Sequence, residues 1–546
     1  MACCRERPPR GLTPQSPPQN VIERAKPALV KWDRLSGWCK IGGREIGVIQ
    51  QKSLFATESS EPFDYTADHV VAPAAYEGAL AFHKYWGKKP VEPLAFLIER
   101  LTLAGELVVD PFCGSGVTGF AATSLSRRFL GIDVNPIAGR LSSLLVNLPS
   151  QPALSSAFER VARKCRGQIH DSYSTESLSC PATHYLWEKD KIQQIWAVSG
   201  RRRTSAEPTR SDYELFEKFE THKPRFRVPR FFKNSRINAD PALGWNDLFT
   251  GRALRNIELL LDSIGEVGGE NRTALELCLS AALGQMSKMV FAITARGKTT
   301  GAKSAKIEVG SWVIGFWRPP LHFEVNVWNC FERKVEKLLA GLQLSSPTSV
   351  CGSMAELLAG NADSCIVTGD SIRVLSELPD CSVDLILTDP PHSDRAPYLE
   401  LSELWNAVLG LEPQLSEEIV VSNAKERKKN IDDYNRRMKQ IAILVAQKLR
   451  GNGSIALQFN ARDRMSWEFF RDFETSLQGS DITFRGTFPL VYSAQSVVQD
   501  NRRGALTTDY VLLFASARVR LEPFVRVPGW SFELPPVIRK ANAAHV

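Results

Sequence analysis

The sequence lacks the long apolar runs and paired cysteines that would suggest a membrane protein or a disulfide-bonded one. No stretch of its 546 residues approaches the roughly 18 uninterrupted apolar residues that a membrane-spanning helix needs. The N-terminus is basic and proline-rich without an apolar core, so we expect no secretory signal. The 11 cysteines are odd in number and form no repeated Cys-x-x-Cys pair, which argues against a disulfide framework. We therefore expect a cytoplasmic protein without membrane contact.

The sequence also has few cysteine and histidine residues at the spacings typical of metal ligands. Cys180 and His184 lie four residues apart, but no second pair with ligand spacing follows them. A structural zinc site needs four ligands, so the sequence predicts no metal. Nuclease and helicase motifs are missing as well, and the oligomeric state cannot be read from the sequence.

The charge balance is mildly positive. Lysine and arginine number 68 against 60 aspartate and glutamate residues, for a net charge of +8. Clustered positive charge suits a nucleic-acid partner because it neutralises phosphates. A mildly basic protein without such a partner would show the same total, so charge alone leaves both interpretations open.

Composition and hydrophobic pattern divide the chain into segments. An α/β domain is predicted in two parts, with an insertion between them that we expect to be mainly helical and to form a target-recognition domain. The predicted segments are a disordered basic tail (1–26), an N-terminal extension of unclear role (27–82), the first part of the α/β domain (83–150), the insertion (151–355), the second part (356–520) and a C-terminal tail (521–546).

Two strands in the first part each end in an acid. The run ELVVD ends at Asp110, and RFLGID ends at Asp133 after a glycine-rich turn and a helix. Five further strand patterns follow the insertion, two of them ending at Asp370 and Asp389 and the last two suited to an antiparallel pair. Half a sheet cannot bury its own faces, so the sequence predicts one mostly parallel, seven-stranded sheet interrupted by the insertion.

The turn DPFCGSG has the features of a cofactor loop. Gly114 and Gly116 allow a sharp turn and close approach of a ligand. No Gly-Lys-Ser/Thr follows the loop to make a phosphate cradle. An acid at its entrance suits a ligand with a cationic centre and an amino acid tail. Asp133 is placed to accept hydrogen bonds from ribose hydroxyls, although a helix N-cap would use the same residue type.

The tetrapeptide DPPH follows a later strand. Pro390 and Pro391 form a rigid elbow after Asp389. The exocyclic amine of a base is a poor nucleophile because its lone pair is delocalised into the ring. The Asp389 carboxylate and the Pro390 carbonyl can accept its two N–H groups and favour a reactive nitrogen, so alignment supplies most of the acceleration.

These motifs together resemble a known family. HKYWGKKP, DPFCGSG, GIDVNP, the DPP elbow and TDYVLLF occur in an order similar to that of bacterial DNA amino-methyltransferases, over about 83–150 and 360–515. The resemblance implies a Rossmann-like class I methyltransferase fold, S-adenosyl-L-methionine as cofactor, and transfer to N6 of adenine or N4 of cytosine in flipped-out bases of double-stranded DNA. It implies that Tyr85, Lys89 and Pro90 belong to a cofactor motif, that Asp110, Phe112, Gly114 and Gly116 line the methionine moiety, that Asp133 holds the ribose, that Asp370 contacts the cofactor adenine, and that Asp389, Pro390, Pro391 and His392 are catalytic.

His392 departs from the pattern of this family, whose fourth position is normally a large aromatic residue that stacks on the flipped base. Three interpretations stay open: a functional stacking imidazole, a changed substrate, or an inactive site. Tyr398, six residues later, is a candidate for part of the missing ring.

The insertion interleaves basic and aromatic residues, as a nucleic-acid surface does. Its predicted phosphate contacts are Arg201, Arg202, Arg203, Arg225, Arg227, Arg230 and Lys233. A solvated basic face is the alternative. Function is predicted as a site-specific DNA methyltransferase, with N6-adenine favoured by Asp389. An RNA methyltransferase and a catalytically silent nucleic-acid-binding relative are the alternatives, and partner proteins from a restriction or defence system are left open.

Overall fold

The structure is a computed structural model that describes residues 38–41, 44–47, 76–200, 202–294, 307–312, 314–342, 350–393, 396–461, 465–491 and 508–535. The chain divides into two units, Met1–Pro62 and Phe63–Val546. Within the first unit, β1 (Trp38–Ile41) and β2 (Arg44–Gly47) pair as an antiparallel hairpin. The prediction of disorder for 1–26 concerns residues outside the described part of the chain.

The second unit carries the remaining strands and the helices. Its strands are β3 (Leu107–Asp110), β4 (Arg128–Asp133), β5 (His184–Glu188), β6 (Lys191–Ser199), β7 (Arg202–Ala206), β8 (Val290–Ile293), β9 (Glu308–Val309), β10 (Leu321–Val325), β11 (Ser364–Thr368), β12 (Val383–Thr388), β13 (Leu449–Phe459), β14 (Ile482–Val491) and β15 (Thr508–Ser516). Its helices are α1 (Val91–Leu101), α2 (Val117–Ser124), α3 (Pro136–Val146), α4 (Gln151–Asp171), α5 (Arg210–Glu220), α6 (Trp245–Leu248), α7 (Gly251–Gly265), α8 (Gly269–Met286), α9 (Val327–Leu342), α10 (Met354–Ala359), α11 (Ser371–Glu377), α12 (Tyr398–Leu401), α13 (Glu403–Val408), α14 (Ile431–Lys448), α15 (Glu468–Ser476) and α16 (Glu522–Val525).

A seven-stranded sheet joins the two parts of the predicted α/β domain. Its order is β11-β4-β3-β12-β13-β15-β14. The first five strands pair in parallel, and β15 pairs antiparallel with both β13 and β14. Two of these strands precede the insertion and five follow it. The predicted mostly parallel sheet with its antiparallel edge pair is therefore confirmed.

The central strands read as continuous apolar runs because helices cover both faces of the sheet. All six residues of β12 and all four of β3 are buried. Ile132, Ile386 and Leu457 are fully buried within the core between the sheet and α14. Because the parallel strands share one direction, their carboxyl ends meet at one edge, where ligands bind in such folds.

The insertion contains long helices and also a second sheet. That sheet is antiparallel in all five of its pairings and has the order β7-β6-β5-β10-β8-β9. The sequence pattern predicts a mainly helical insertion and does not indicate this sheet. Val325 pairs with His184 across the whole width of the insertion, and no local pattern encodes so distant a partner.

The insertion packs directly on the domain that it interrupts. His83 Nε2 lies 2.9 Å from Ser280 Oγ of α8, and Arg140 of α3 pairs with Glu276. The indole of Trp312 contacts those of Trp86 and Trp405 edge to face. The boundaries assigned to the segments stay predictions, because these contacts place insertion and sheet in one compact unit. Among the described residues, no helix is long and apolar enough to cross a membrane.

Candidate active site

A cleft opens at the carboxyl ends of β3, β4, β12 and β13. The acids that end these strands or follow them, Asp110, Asp133 and Asp389, all line it. The other lining residues are Tyr85, Trp86, Gly87, Lys88, Lys89, Leu94, Phe112, Cys113, Gly114, Ser115, Val117, Thr118, Val134, Asn135, Ser371, Pro391, Tyr398, Glu417, Glu418, Ile419 and Gln458. The cleft thus brings the predicted cofactor loop and the predicted catalytic elbow together.

Asp110 ends β3 and is held by three donors. Its Oδ1 accepts from the Thr388 hydroxyl at 2.7 Å and from the Phe112 N–H at 3.1 Å. Its Oδ2 accepts from the Thr118 hydroxyl at 2.7 Å. Burial raises the pKa of Asp110 to about 6, although these hydrogen bonds oppose the shift. The carboxylate is therefore fixed in orientation and faces the cofactor loop.

Asp133 ends β4 and shapes the same loop. Its Oδ2 accepts from the Gly114 N–H and its Oδ1 from the Asn135 N–H, each at 2.8 Å. Burial raises the pKa of Asp133 to about 7. The helix that follows, α3, has Asn135 as its N-cap residue. The N-cap alternative for Asp133 is therefore wrong, and its carboxylate remains directed to the loop and the cleft.

Two glycines in the loop adopt backbone angles that favour glycine. Gly116 has φ +83°, and a Cβ there would lie 2.5 Å from the Ser142 Cα. Gly114 has φ +52°, and a Cβ there would lie 3.3 Å from the Tyr85 ring. A side chain at Gly114 would fill space beside the cleft, whereas one at Gly116 would collide with α3. The loop therefore leaves room for a ligand between Asp110, Asp133 and the Tyr85 ring.

The Asp389 carboxylate lies in a network of four charged or titratable groups. Lys89 Nζ is 2.9 Å from Asp389 Oδ2 and 2.7 Å from Asp509 Oδ2. His392 Nε2 is 2.7 Å from Asp389 Oδ1, and its Nδ1 is 3.7 Å from Asp509 Oδ1. Asp509 is fully buried, whereas the Asp389 side chain is 21% exposed. Asp389 is thus the most exposed member of this network, and it lines the cleft together with Lys89.

His392 occupies a buried position behind the elbow. Its side chain is 5% exposed, its ring lies 4.8 Å from that of Phe459, and it is absent from the cleft lining. The adjacent Pro391 carbonyl accepts from the Tyr434 hydroxyl at 2.7 Å. Stacking of His392 on a base stays a prediction. The contacts in the structure are those of a residue that orients Asp389.

Asp389, His392 and Asp509 would also suit a metal by their spacing, because one ligand atom from each lies within 4.8 Å of the others. The Lys89 ammonium, however, already bridges the two carboxylates. It supplies there the positive charge that a cation would supply, so the arrangement is that of an internal ion-pair network.

The predicted cofactor residues divide into two groups. Tyr85, Lys89, Asp110, Phe112, Gly114 and Asp133 line the cleft. Pro90, Gly116 and Asp370 do not: Pro90 precedes α1, Gly116 is the N-cap residue of α2, and Asp370 caps α11 by accepting from the Ile372 N–H at 3.1 Å. The roles of all nine toward a cofactor stay predictions.

Sequence reasoning missed several residues of the cleft. Glu417 and Glu418 come from the connection between α13 and α14, which carries no recognised motif. Glu418 accepts from the Leu399 N–H at 2.9 Å and pairs with Arg427 at 2.7 Å. Gln458 lies near the end of β13, and Asp509 lies in the TDYVLLF segment quoted for the family resemblance. The resemblance of that segment to the family is the sequence feature that could have indicated Asp509.

Two of the predicted phosphate-binding arginines form ion pairs inside the protein. Arg227 Nη1 lies 2.7 Å from Glu403 Oε1, and the Arg227 side chain is 17% exposed. Arg225 binds Glu258 and Asp262, each at 2.7 Å, and remains 72% exposed. Contact of either with nucleic acid stays a prediction.

The other basic residues of this set differ in their surroundings. The Arg203 guanidinium lies 4.2 Å from the Trp196 ring centroid, and that of Arg230 lies 5.2 Å from the Phe232 ring centroid. Arg202 is exposed on β7 and Lys233 is exposed as well, whereas Arg201 lies outside the described residues. Arg202 and Arg203 are thus the members of the set that are exposed on the antiparallel sheet.

Comparison with known proteins gives a consistent result. The DNA methylase family matches residues 52–141, a segment that contains Tyr85, Asp110, the glycine loop and Asp133. The chain is 48% identical to the Type II methyltransferase M2.DpnII of Streptococcus pneumoniae over 54 residues, which are 9% of this chain and 20% of that protein. It is 43% identical to the Type II methyltransferase M2.LlaDCHI of Lactococcus lactis subsp. cremoris over 54 residues, again 9% and 20%.

A longer match covers 105 residues of the Type II methyltransferase M.EcaI of Enterobacter cloacae at 30% identity, which is 19% of this chain and 21% of that protein. The chain therefore matches about a fifth of the length of each of these relatives. The family match and these relatives agree, because the matched part of the chain is similar in both comparisons to DNA methylases.

Proposed function

We propose that the protein is an S-adenosylmethionine-dependent methyltransferase that acts on the exocyclic amine of a base in double-stranded DNA, with N6 of adenine favoured over N4 of cytosine. The observation that carries this proposal is the position of Asp389. Its partly exposed carboxylate lines the same cleft as Asp110 and Asp133. A cofactor site and an acceptor site thus share one cleft, as direct transfer between two bound molecules requires.

The residues present fit the cofactor. The ligand has a sulfonium and an ammonium, and the cleft wall carries the Asp110 and Asp133 carboxylates. Asp133 would accept from the ribose hydroxyls, and Asp110 would face the methionine moiety beside the loop. The space kept open at Gly114 would be filled by any side chain there. When bound, the cofactor supplies an electrophilic methyl group on sulfur.

Asp389 acts on the acceptor amine in this proposal. Its carboxylate would accept one N–H of the amine and the Pro390 carbonyl the other, which would draw the nitrogen lone pair out of conjugation with the ring. Lys89 and His392 hold the carboxylate from the protein side. Each carboxylate oxygen has two lone pairs, so these contacts leave acceptor capacity toward the cleft.

A base inside a duplex cannot reach a carboxylate in a cleft, so the target nucleotide must flip out of the stack. Tyr398 is our candidate for the ring that stacks on such a base, because it lines the same cleft as Asp389. Its ring lies 6.1 Å from that of Tyr85 with an interplanar angle of 16°. We propose that Tyr398 takes the stacking role that the buried His392 leaves vacant.

The proposal is tested with purified protein, labelled cofactor and unmethylated nucleic acids. We expect label on duplex DNA in preference to RNA of matched sequence, and we expect Asp389→Ala to abolish transfer while cofactor binding persists. Label on RNA alone would refute DNA as the substrate. Cofactor binding without transfer to either would instead support a silent binding module.

A further inference from the structure

Gln458 is a buried polar residue that lines the cleft and has no hydrogen-bond partner in the described part of the chain. It lies near the carboxyl end of β13 and is 1% exposed. Neither its Oε1 nor its Nε2 has a hydrogen-bond partner among the described residues. Asp110, Asp133 and Lys89 in the same cleft are all hydrogen-bonded within the chain. Gln458 therefore differs from these three charged groups.

An unpartnered buried amide costs folding free energy, since it loses its bonds to water and gains none in return. Native structures contain few such groups, and each needs an explanation. An amide that faces a ligand site is explained if the ligand completes its hydrogen bonds. Gln458 has this property on both of its polar atoms, so the missing ligand must offer a donor and an acceptor side by side.

The sheet places Gln458 on the acceptor half of the cleft. Its neighbour Leu457 pairs with Thr388, the residue before Asp389. β13 lies on the far side of β12 from β3 and β4, whose terminal acids bound the cofactor half. A group bound by Gln458 is thus adjacent to the elbow and separate from the carboxylates Asp110 and Asp133.

We propose that the Gln458 amide binds the Watson–Crick edge of the flipped target base, an inference that rests on the proposed function. Its Nε2 donates to the ring nitrogen beside the amine, which is N1 of adenine or N3 of cytosine. Its Oε1 shares with the Pro390 carbonyl the amine N–H on that side, and Asp389 accepts the other. Adenine and cytosine both present this donor–acceptor pair. Guanine and thymine place a carbonyl oxygen where Asp389 needs a donor.

The test uses Gln458→Met, which keeps the length of the side chain and removes both polar atoms. We expect kcat/KM for duplex DNA to fall about 10- to 100-fold, the usual effect of losing one bidentate base contact. The Kd for S-adenosylmethionine should stay within about twofold of wild type, and the Tm should be equal or higher because the unpartnered amide is gone. Gln458→Glu, which loses the N–H donor but keeps an acceptor, should lose activity similarly.

A modified base provides the matched substrate. Once the methylated position is mapped, 1-deazaadenine or 3-deazacytosine is placed there to remove the ring nitrogen. We expect the wild type to lose activity on this duplex, and Gln458→Met to treat modified and unmodified duplexes alike.

Undiminished kcat/KM in Gln458→Met would overturn the inference. So would a lowered Tm together with weakened cofactor binding, because the amide would then have a structural partner. The proposed function fails separately, if the wild type transfers no label to DNA.

Discussion

Cofactor affinity should depend on pH through Asp133, because burial raises the pKa of its carboxyl to about 7. A ribose hydroxyl donates to the ionised carboxylate, so binding should strengthen as pH rises through that value. With a pKa near 7, the ionised fraction increases about tenfold between pH 6 and pH 8. The pKa of Asp110 is raised to about 6, so protonation of this second carboxylate should make cofactor affinity fall more steeply below pH 6.

Calorimetry measures the Kd for S-adenosylmethionine at pH 6, 7 and 8, for the wild type and for Asp133→Asn. The amine of the cofactor itself titrates near pH 8, and this affects both proteins equally. The ratio of the variant Kd to the wild-type Kd should therefore rise about tenfold from pH 6 to pH 8. A ratio that is constant with pH would refute the role of Asp133 as an ionised acceptor.

Three further predictions concern the loop, the elbow and the insertion. Gly116→Ala should lower the free energy of unfolding by more than the ~1–2 kcal/mol that a left-handed alanine costs, because its Cβ would meet α3. Gly105 also has a positive φ but has open space around it, so Gly105→Ala should cost only that amount in thermal unfolding. His392→Phe should lower kcat more than it changes the KM for DNA or the cofactor Kd, because it removes the donor that orients Asp389. His392→Gln should recover part of the lost kcat. Full activity in the phenylalanine variant would contradict this role. Arg202→Ala should weaken DNA binding and flatten its salt dependence, whereas Arg227→Ala should chiefly lower the Tm by leaving Glu403 unpaired.

The main sheet could be predicted from the sequence because its signals are local. Each strand is a short apolar run, and several of them end in an acid that is followed by a turn. The right number of strands on each side of the insertion follows from counting these runs. The sheet of the insertion could not be predicted in this way. Its strands mix aromatic and polar residues, and β10 pairs with β5 more than a hundred residues earlier in the chain.

The candidate site shows the same division. The acids at strand ends and the glycine loop were recognisable, and the structure brings them into one cleft. The contact between Lys89 and Asp509 joins residues 420 positions apart, so no spacing rule could indicate it. Likewise, the pairing of Arg227 with Glu403 depends on how the insertion packs on α13. The sequence shows that Arg227 is a basic residue among others, but only the fold shows which carboxylate it binds.

The central claim is that this cleft transfers a methyl group to the exocyclic amine of a DNA base. Its most direct test is nucleoside analysis by mass spectrometry of duplex DNA after reaction with wild-type protein and with Asp389→Ala. We predict N6-methyladenine, or N4-methylcytosine, with the wild type and neither with the variant. Methylation at a ring carbon, or at equal levels with Asp389→Ala, would contradict the claim.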